Sequence, residues 1–315
     1  MHISVSKEFS MRWIPLIAVF CVALSWGWSF SYVKGVLDVI PPLVFVGWSF
    51  LLSGLFFFVV AVFRGEPLLF RWREGLVLGF FLFLLEGLQK IGLSGTSAGN
   101  TAFISEIGIL VIPIMEWLFF KKFLRRAHVF ALILAFFGLY ELTGGIHHLT
   151  SGDLFVLACA FACAAYIMIT DRYEKESASN IITLCAQQFL FVAAISFSCA
   201  SVLDVPIVIH DTHAITQLVF LTIITMLFPY FLVQWAQRYV NDMRAAFTYS
   251  LEPVFGGAFA WTIGGEQATP WMLVGAVCMF SAMIIVQYQN VHGRRRTDPS
   301  DIVAGVAHRS ITRAS

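Results

Sequence analysis

Long apolar stretches alternate with short polar segments along the chain up to about residue 290. A helix needs roughly 20 apolar residues to cross the hydrocarbon core of a bilayer, because each residue advances it by about 1.5 Å. The stretches predict ten transmembrane helices, at residues 13–33, 41–63, 75–93, 97–120, 127–144, 153–171, 181–203, 215–237, 244–264 and 270–290. Only a few residues separate neighbouring stretches, so the sequence predicts no separate soluble domain.

The composition agrees with this pattern. Hydrophobic residues make up 59% of the 315 residues and charged residues 12%, whereas a soluble domain holds about 25% charged residues. A soluble protein of this size could not hide so much apolar surface from water, but a protein embedded in lipid has no need to do so. The net charge of +1 gives no indication of a nucleic-acid partner.

The positions of the basic residues predict the orientation of the helices. With the N-terminus in the cytoplasm, Lys34 and Lys90 are the two residues, among 20 Lys and Arg, that fall on the outer side. Cytoplasmic loops of membrane proteins are enriched in Lys and Arg. We therefore expect an even number of spans with both termini in the cytoplasm, in a multi-pass protein of a bacterial inner membrane. Residues 291–315 would form a basic cytoplasmic tail.

A weak internal repeat divides the chain into two halves. Shifting residues 97–122 by 144 positions superposes them on residues 241–266, with Trp117 on Trp261. Five predicted spans precede residue 150 and five follow it, and an odd number of spans per repeat inserts the second copy upside down. The predicted fold is therefore an all-α polytopic membrane protein whose ten transmembrane helices form two inverted five-helix repeats. The predicted repeats are residues 13–144 and 153–290.

Short motifs in both halves resemble a known family. The first half contains Ser25-Trp26-Gly27, Pro41-Pro42, Thr96-Ser97-Ala98-Gly99-Asn100 and Pro113. The second half contains Gln234-Trp-Ala-Gln-Arg238, Ala245-Ala246-Phe247, Glu252-Pro253-Val254-Phe255 and Gly264-Gly265-Glu266. Over about residues 13–290 the chain is similar to the EamA-type drug/metabolite transporters. The resemblance implies a small-molecule substrate and a central cavity built chiefly from spans 1, 3, 4, 6, 8 and 9.

Charged residues inside the predicted spans need an explanation, because each costs ~3 kcal/mol or more at the bilayer centre. Glu86 and Lys90 stand four residues apart with the acid first, which is the favourable order for an ion pair on a helix. Two interpretations are open for this pair. Glu86 and Lys90 could simply neutralise each other, or they could line the cavity together with the neighbouring Gln89.

Glu106 and Glu252 are predicted to lie near the middle of the membrane, about nine residues into their spans. Carriers built from inverted repeats place their substrate or coupling-ion site at this depth. Burial favours the protonated form of a carboxylate, so both groups are candidates to exchange a proton. For Glu252 the alternative is that it satisfies backbone groups left free by Pro253.

Uncharged polar and aromatic residues could complete the site. The candidates are Trp28, Asn100, Tyr230, Gln234 and Tyr249, although aromatic residues in spans more often anchor a protein at the membrane interface. Pro113 and Pro253 are predicted hinges, since proline disrupts a helix. Small residues on spans 5 and 10 are typical of helix packing, and a homodimer through these helices is an open alternative.

The sequence predicts a carrier and no enzyme. It has no phosphate-binding loop, no metal-ligand spacing among its six cysteines and no pair of intramembrane Asp residues, so we expect neither a cofactor nor a metal. The leading hypothesis is a secondary active transporter of an amino acid or related polar or amphipathic solute, with export favoured and proton coupling open. The alternative is a non-transporting membrane protein, such as a lipid scramblase or an assembly partner.

Overall fold

The computed structural model describes residues 3–121, 123–145, 148–177, 181–236, 239–240 and 242–297. These residues form helices and connecting turns, and no strand occurs among them. The helices are α1 (Ile3–Leu37), α2 (Pro42–Phe63), α3 (Trp72–Gly95), α4 (Ala98–Ser105), α5 (Ile107–Phe120), α6 (Arg126–Thr143), α7 (Ser151–Ser177), α8 (Ile181–Val202), α9 (Thr212–Thr222), a π-helix (Ile223–Leu227), α10 (Phe228–Ala236), α11 (Asp242–Tyr249), α12 (Glu252–Thr262) and α13 (Pro270–Thr297).

Seven helical stretches of the described chain are long and apolar enough to cross a membrane. They are Ile14–Leu37, Pro42–Phe63, Trp72–Gly95, Ala98–Phe120, Ser151–Thr170, Ile181–Val202 and Pro270–Gln289, and Thr212–Leu227 is a shorter apolar helix. The prediction of an all-helical, multi-pass membrane protein is therefore confirmed. The other helical segments are α6, with 18 residues, and the shorter α10, α11 and α12.

Three helical regions are interrupted in mid-course. Glu106 separates α4 from α5, and Ser250 and Leu251 separate α11 from α12. The third interruption is the π-helix, where one turn between α9 and α10 is wider than in an α-helix. Interrupted backbone at membrane depth leaves polar groups unsatisfied unless it faces a cavity or neighbouring protein. These three places are therefore where a buried site is expected.

Glycines allow the closest helix contacts. A Cβ atom added to Gly275 of α13 would lie 2.6 Å from the carbonyl oxygen of Gly138 in α6. A Cβ atom added to Gly152 of α7 would lie 2.6 Å from the carbonyl oxygen of Gly92 in α3. Such separations are too short for any side chain, so both crossings require glycine. Gly138 and Gly275 are among the small residues of predicted spans 5 and 10, and they contact each other within one chain.

The two ends of the bundle differ in charge. The connections after α2 and α5 carry Arg64, Arg71, Lys121 and Arg125, and we call this the basic end. Arg125 donates a hydrogen bond to Gln289 near the end of α13 (3.0 Å), which places that part of α13 at the same end. The other end, which we call the opposite end, contains the connections after α1, α3, α6, α8 and α12.

Candidate functional site

A cavity of about 460 Å³ lies in the middle of the helical bundle. Its walls come from α1, α2, α3, α7, α8 and α10, and from all three interrupted regions. The polar and charged lining residues are Trp26, Ser29, Ser49, Glu86, Gln89, Lys90, Ser105, Glu106, Tyr166, Thr225 and Glu252. Most of the remaining wall is apolar and includes Phe30, Phe45, Phe50 and Phe189. The cavity therefore offers a few polar groups in apolar surroundings, which is typical of small-molecule sites.

Glu86 and Lys90 form the ion pair that their spacing predicts. The Lys90 ammonium lies 3.2 Å from the Glu86 carboxylate and also donates a hydrogen bond to the side chain of Gln89. Both charged groups are mostly buried, with 14% of the Lys90 side chain and 25% of the Glu86 side chain exposed. One positive charge of the cavity wall is thus already balanced by a neighbour on the same helix.

Glu106 and Glu252 line the same cavity from two interrupted helices. Glu106 occupies the break between α4 and α5, and Glu252 is the first residue of α12. The N-terminus of a helix carries a partial positive charge, which favours the carboxylate of Glu252, whereas Glu106 lies between the negative end of α4 and the positive end of α5. Neither carboxylate forms a hydrogen bond or an ion pair with another described residue. Both are therefore available to a substrate or a proton.

Trp26 links two of the interruptions from α1. Its indole N–H donates to the carbonyl of Thr225 in the π-helix (2.8 Å), and the hydroxyl of the adjacent Ser25 donates to the carbonyl of Ile224 (2.9 Å). The same indole stacks on Tyr249, the last residue of α11, with ring centroids 5.9 Å apart. Trp26 also lines the cavity, so it connects the cavity wall to both irregular helices.

The structure brings together five of the predicted site residues in the cavity wall. These are Glu86, Gln89, Lys90, Glu106 and Glu252. Tyr249 lies behind Trp26 and does not itself line the cavity. The side chains of Tyr230 and Gln234 lie outside the described residues.

Two further predicted residues lie away from the cavity. Trp28 packs in an aromatic group with Tyr32 and Phe220, with ring centroids 4.9 Å and 6.2 Å away. Asn100 is buried and donates to Asp153 (3.2 Å) near the opposite end. Both positions therefore have structural contacts that account for their polar or aromatic side chains.

The predicted hinges differ in their relation to the helix breaks. Pro253 directly follows one break, as the second residue of α12. Pro113 lies inside α5, seven positions beyond the break at Glu106, and α5 continues through it. A hinge role for either residue stays a prediction.

Several lining residues were not singled out from the sequence. Ser29 and Val33 follow Trp26 on one face of α1, and Ser49 follows Phe45 on one face of α2. Spacings of three, four and seven residues place side chains on the same side of a helix. That periodicity could have found these faces, but apolar residues surround them on every side and so hide the signal.

A network of hydrogen bonds joins different helices at the opposite end. The Glu266 carboxylate, in the connection before α13, accepts from the backbone N–H groups of Ala98 (2.6 Å) and Gly99 (3.1 Å) at the start of α4. Asp153 accepts from the Thr96 hydroxyl (2.5 Å), and the Lys34 ammonium donates to the Thr96 carbonyl. We call the contact of Glu266 with α4 the Glu266 clamp.

A similar contact occurs at the basic end. Glu66, in the connection after α2, accepts from the backbone N–H (3.2 Å) and the hydroxyl (2.9 Å) of Thr183 at the start of α8. The Gln187 side chain donates to the carbonyls of Leu68 and Phe70 (2.7 Å and 3.0 Å). Carboxylates from connecting segments thus cap helix N-termini at both ends, where backbone N–H groups lack partners within the helix.

Together these features define an all-helical membrane protein with a mostly apolar, charge-bearing cavity at its centre. The model of the EamA-like transporter family matches residues 13–143 and 150–288. The chain belongs to this family, and the family predicted from its motifs is confirmed. It is therefore a membrane transporter, and its setting is the lipid bilayer with a small molecule as substrate.

Curated relatives agree with this assignment. An uncharacterized transporter of Archaeoglobus fulgidus is 30% identical over 267 residues, which cover 84% of this chain and 83% of the relative. A probable amino-acid metabolite efflux pump of Salmonella typhimurium is 26% identical over 87% of this chain and 93% of its own length. An S-adenosylmethionine/S-adenosylhomocysteine transporter of Chlamydia muridarum is 21% identical over 84% of this chain and 90% of its own.

A solved crystal structure of another protein has the same fold. It superposes with a TM-score of 0.61 at 18% identity, covering 87% of this chain and 98% of its own. At this level of identity the similarity concerns the fold alone.

Proposed function

We propose that the protein is a secondary active transporter that moves a small polar or amphipathic metabolite by alternating access. The observation that carries this proposal is the central cavity, whose wall holds two carboxylates, Glu106 and Glu252, that have no hydrogen-bond or ion-pair partner among the described residues and each lie at an interrupted helix. Discontinuous helices that meet at a mid-membrane site are characteristic of secondary carriers. Transport would follow from movement of one half of the bundle relative to the other around this site.

Two inverted repeats of five spans each, ten in all, are part of the proposal. The family model matches the chain twice, at residues 13–143 and 150–288. The offset of 144 positions found in the sequence carries both ends of α4 (98 and 105) onto both ends of α11 (242 and 249). The break at Glu106 accordingly corresponds to the break at Ser250. Equivalent breaks in equivalent helices support a common ancestry of the two halves.

The basic end is proposed to face the cytoplasm. Loops rich in Lys and Arg stay on the cytoplasmic side of a membrane. This orientation places both termini in the cytoplasm of a bacterial cell and the Glu266 clamp on the outer side.

An amino acid or a related solute is the proposed substrate, with export as the favoured direction. The description of the Salmonella typhimurium relative as a probable amino-acid metabolite efflux pump supports both points. Glu106 and Glu252 are the proposed groups for proton coupling, because a carboxylate without a counter-charge in a low-dielectric cavity gains most from taking up a proton.

Uptake by proteoliposomes across a panel of metabolites, with and without a pH gradient, tests the proposal. We expect accumulation of one solute class, and we expect Glu106→Gln and Glu252→Gln each to lower the rate by about tenfold or more, because the lost charge is buried. Glu141→Gln on α6, which does not line the cavity, is the matched control and should transport normally.

Two outcomes would contradict the proposal. Full transport by both cavity variants would remove the carboxylates from the mechanism. Movement of fluorescent lipids between leaflets by proteoliposomes that accumulate no solute would favour the scramblase alternative.

A further inference from the structure

The charges of the cavity wall do not balance among the described residues. Glu86, Glu106 and Glu252 line the cavity, and Lys90 is the cationic side chain that lines it with them. Lys90 is already held by Glu86 at 3.2 Å and by Gln89. With all groups ionised, two carboxylates are left over, and nothing in the described wall neutralises them. A buried charge without a partner is costly, so a ligand that supplies positive charge would be stabilised there.

The uncharged part of the wall favours a ligand with an apolar body. Phe45, Phe50 and Phe189 contribute aromatic rings, and the Trp26 indole also faces the cavity. Aromatic faces attract cations as well as apolar groups, and indole does so most strongly.

We propose that the substrate is an organic ammonium ion with an apolar body and no carboxylate, whose charge is held by Glu106 and Glu252. The proposal rests on the proposed transport function and, among amino acids and related solutes, selects a related amine in place of the amino acid itself. A zwitterionic amino acid would bring a carboxylate that needs a cation, and Lys90, the cation available in the described wall, already has its charge balanced by Glu86. An amine adds no further negative charge.

The cavity volume limits the size of the ligand. At about 30 Å³ for each water molecule in the liquid, 460 Å³ corresponds to roughly fifteen waters. A single aromatic ring system with an aminoalkyl chain fits this volume.

Binding of matched ligands to the purified protein tests the substrate class. One series keeps the indole ring and varies the charge: tryptamine is a cation, tryptophan a zwitterion and indole-3-propionate an anion. A second series uses hexylamine, norleucine and hexanoate in the same way. We expect the cation of at least one series to bind about tenfold or more tightly than its zwitterion by isothermal titration calorimetry. We expect the anions to bind most weakly.

Variants that are expected to change the affinity for the amine in opposite directions test whether Glu106 and Glu252 hold the ammonium group. Glu106→Gln combined with Glu252→Gln should weaken amine binding by about tenfold or more. Lys90→Gln removes the positive charge of the wall and should bind the amine at least as tightly as the wild type. Glu141→Gln is the control outside the cavity, and its affinity should match that of the wild type.

The outcomes separate this proposal from the transport function. Preference for the zwitterion or the anion, no preference in either series, or no binding in both series would overturn the ammonium assignment. If proteoliposomes nevertheless take up a solute that is not an amine, the proposed transport function is still supported. The absence of all uptake would contradict the transport function itself.

Discussion

Removal of the Glu266 clamp is expected to loosen the opposite end of the bundle. The Glu266 carboxylate accepts two backbone hydrogen bonds from α4, at 2.6 Å and 3.1 Å. Ser97, the residue that precedes α4, caps a third N–H group from within the same segment and would remain in place in a Glu266→Ala variant. The variant therefore removes the contact between α4 and the connection before α13, without removing the local cap.

The expected loss is about 2 kcal/mol in the free energy of unfolding. A hydrogen bond to a charged group contributes about 1.5–3 kcal/mol, and a negative charge at a helix N-terminus adds ~0.3–1 kcal/mol. Two such bonds would contribute about 3 kcal/mol or more, but Glu266 is only half-buried, so water replaces part of what is lost and about 2 kcal/mol remains. For a chain of this size, 2 kcal/mol corresponds to a fall in Tm of about 4 °C.

Thermal unfolding in detergent measures the effect. Glu266→Gln keeps one acceptor oxygen, but its amide N–H₂ would face the second backbone N–H. We therefore expect about half the fall in Tm that Glu266→Ala causes. Asp211→Asn is the matched control at the same end, because Asp211 caps its own helix (2.8 Å to the His213 N–H) and Asn caps equally well. A Glu266→Ala variant that unfolds at the wild-type temperature would refute the energetic role of the clamp.

The same variant should change how often the cavity opens. The clamp stabilises conformations in which this end is held together, and about 2 kcal/mol corresponds to a population ratio of roughly 30. Cys163 lines the cavity, so its maleimide labelling by mass spectrometry should accelerate in Glu266→Ala. Cys185 is buried and does not line the cavity, so it becomes reactive on general unfolding and serves as the internal reference. Equal acceleration at both cysteines would indicate general unfolding and contradict a role in opening.

Two further predictions concern packing. Trp26→Phe keeps an aromatic ring beside Tyr249 but loses the hydrogen bond to the π-helix, so unfolding should become easier by about 1 kcal/mol. Trp26→Leu also loses the stacking on Tyr249, so its Tm should be lower still. Equal Tm values for the two variants would show that the stacking does not contribute to stability. Gly275→Ala should cost about 3 kcal/mol or more, because its Cβ would meet backbone atoms of α6. Gly35→Ala has open space around its Cβ and should be neutral or slightly stabilising by the same thermal assay.

The sequence predicts most of what the bilayer itself imposes. Because lipid requires about 20 apolar residues per crossing, the predicted stretches coincide with helical regions of the structure. The Glu86–Lys90 pair is equally local, since it depends on helical spacing alone. Counting residues along each span also predicts a shared depth for Glu106 and Glu252, and both residues line the cavity. These features require no knowledge of how the helices pack.

The orientation of Trp26 and the helix break at Glu106 depend on how the helices pack, and the sequence does not predict them. Trp26 and Trp28 are two positions apart, so their side chains point about 200° apart around α1. Trp26 faces the cavity because its N–H reaches the carbonyl of Thr225, 199 positions away in the chain. The break at Glu106 was also not visible, since neither Gly nor Pro marks it, whereas Pro253 marks the equivalent break.

The π-helical interruption also joins α1 to the second half of the chain. A backbone carbonyl without a partner costs several kcal/mol at membrane depth, so each interruption needs donors from elsewhere. Ser25 and Trp26 of the first half supply them to Ile224 and Thr225 of the second. These two hydrogen bonds from α1 thus stabilise the π-helix. Movement of α1 away from this position would favour return to a regular α-helix, which would carry the lining residues Thr225 and Met226 to new positions.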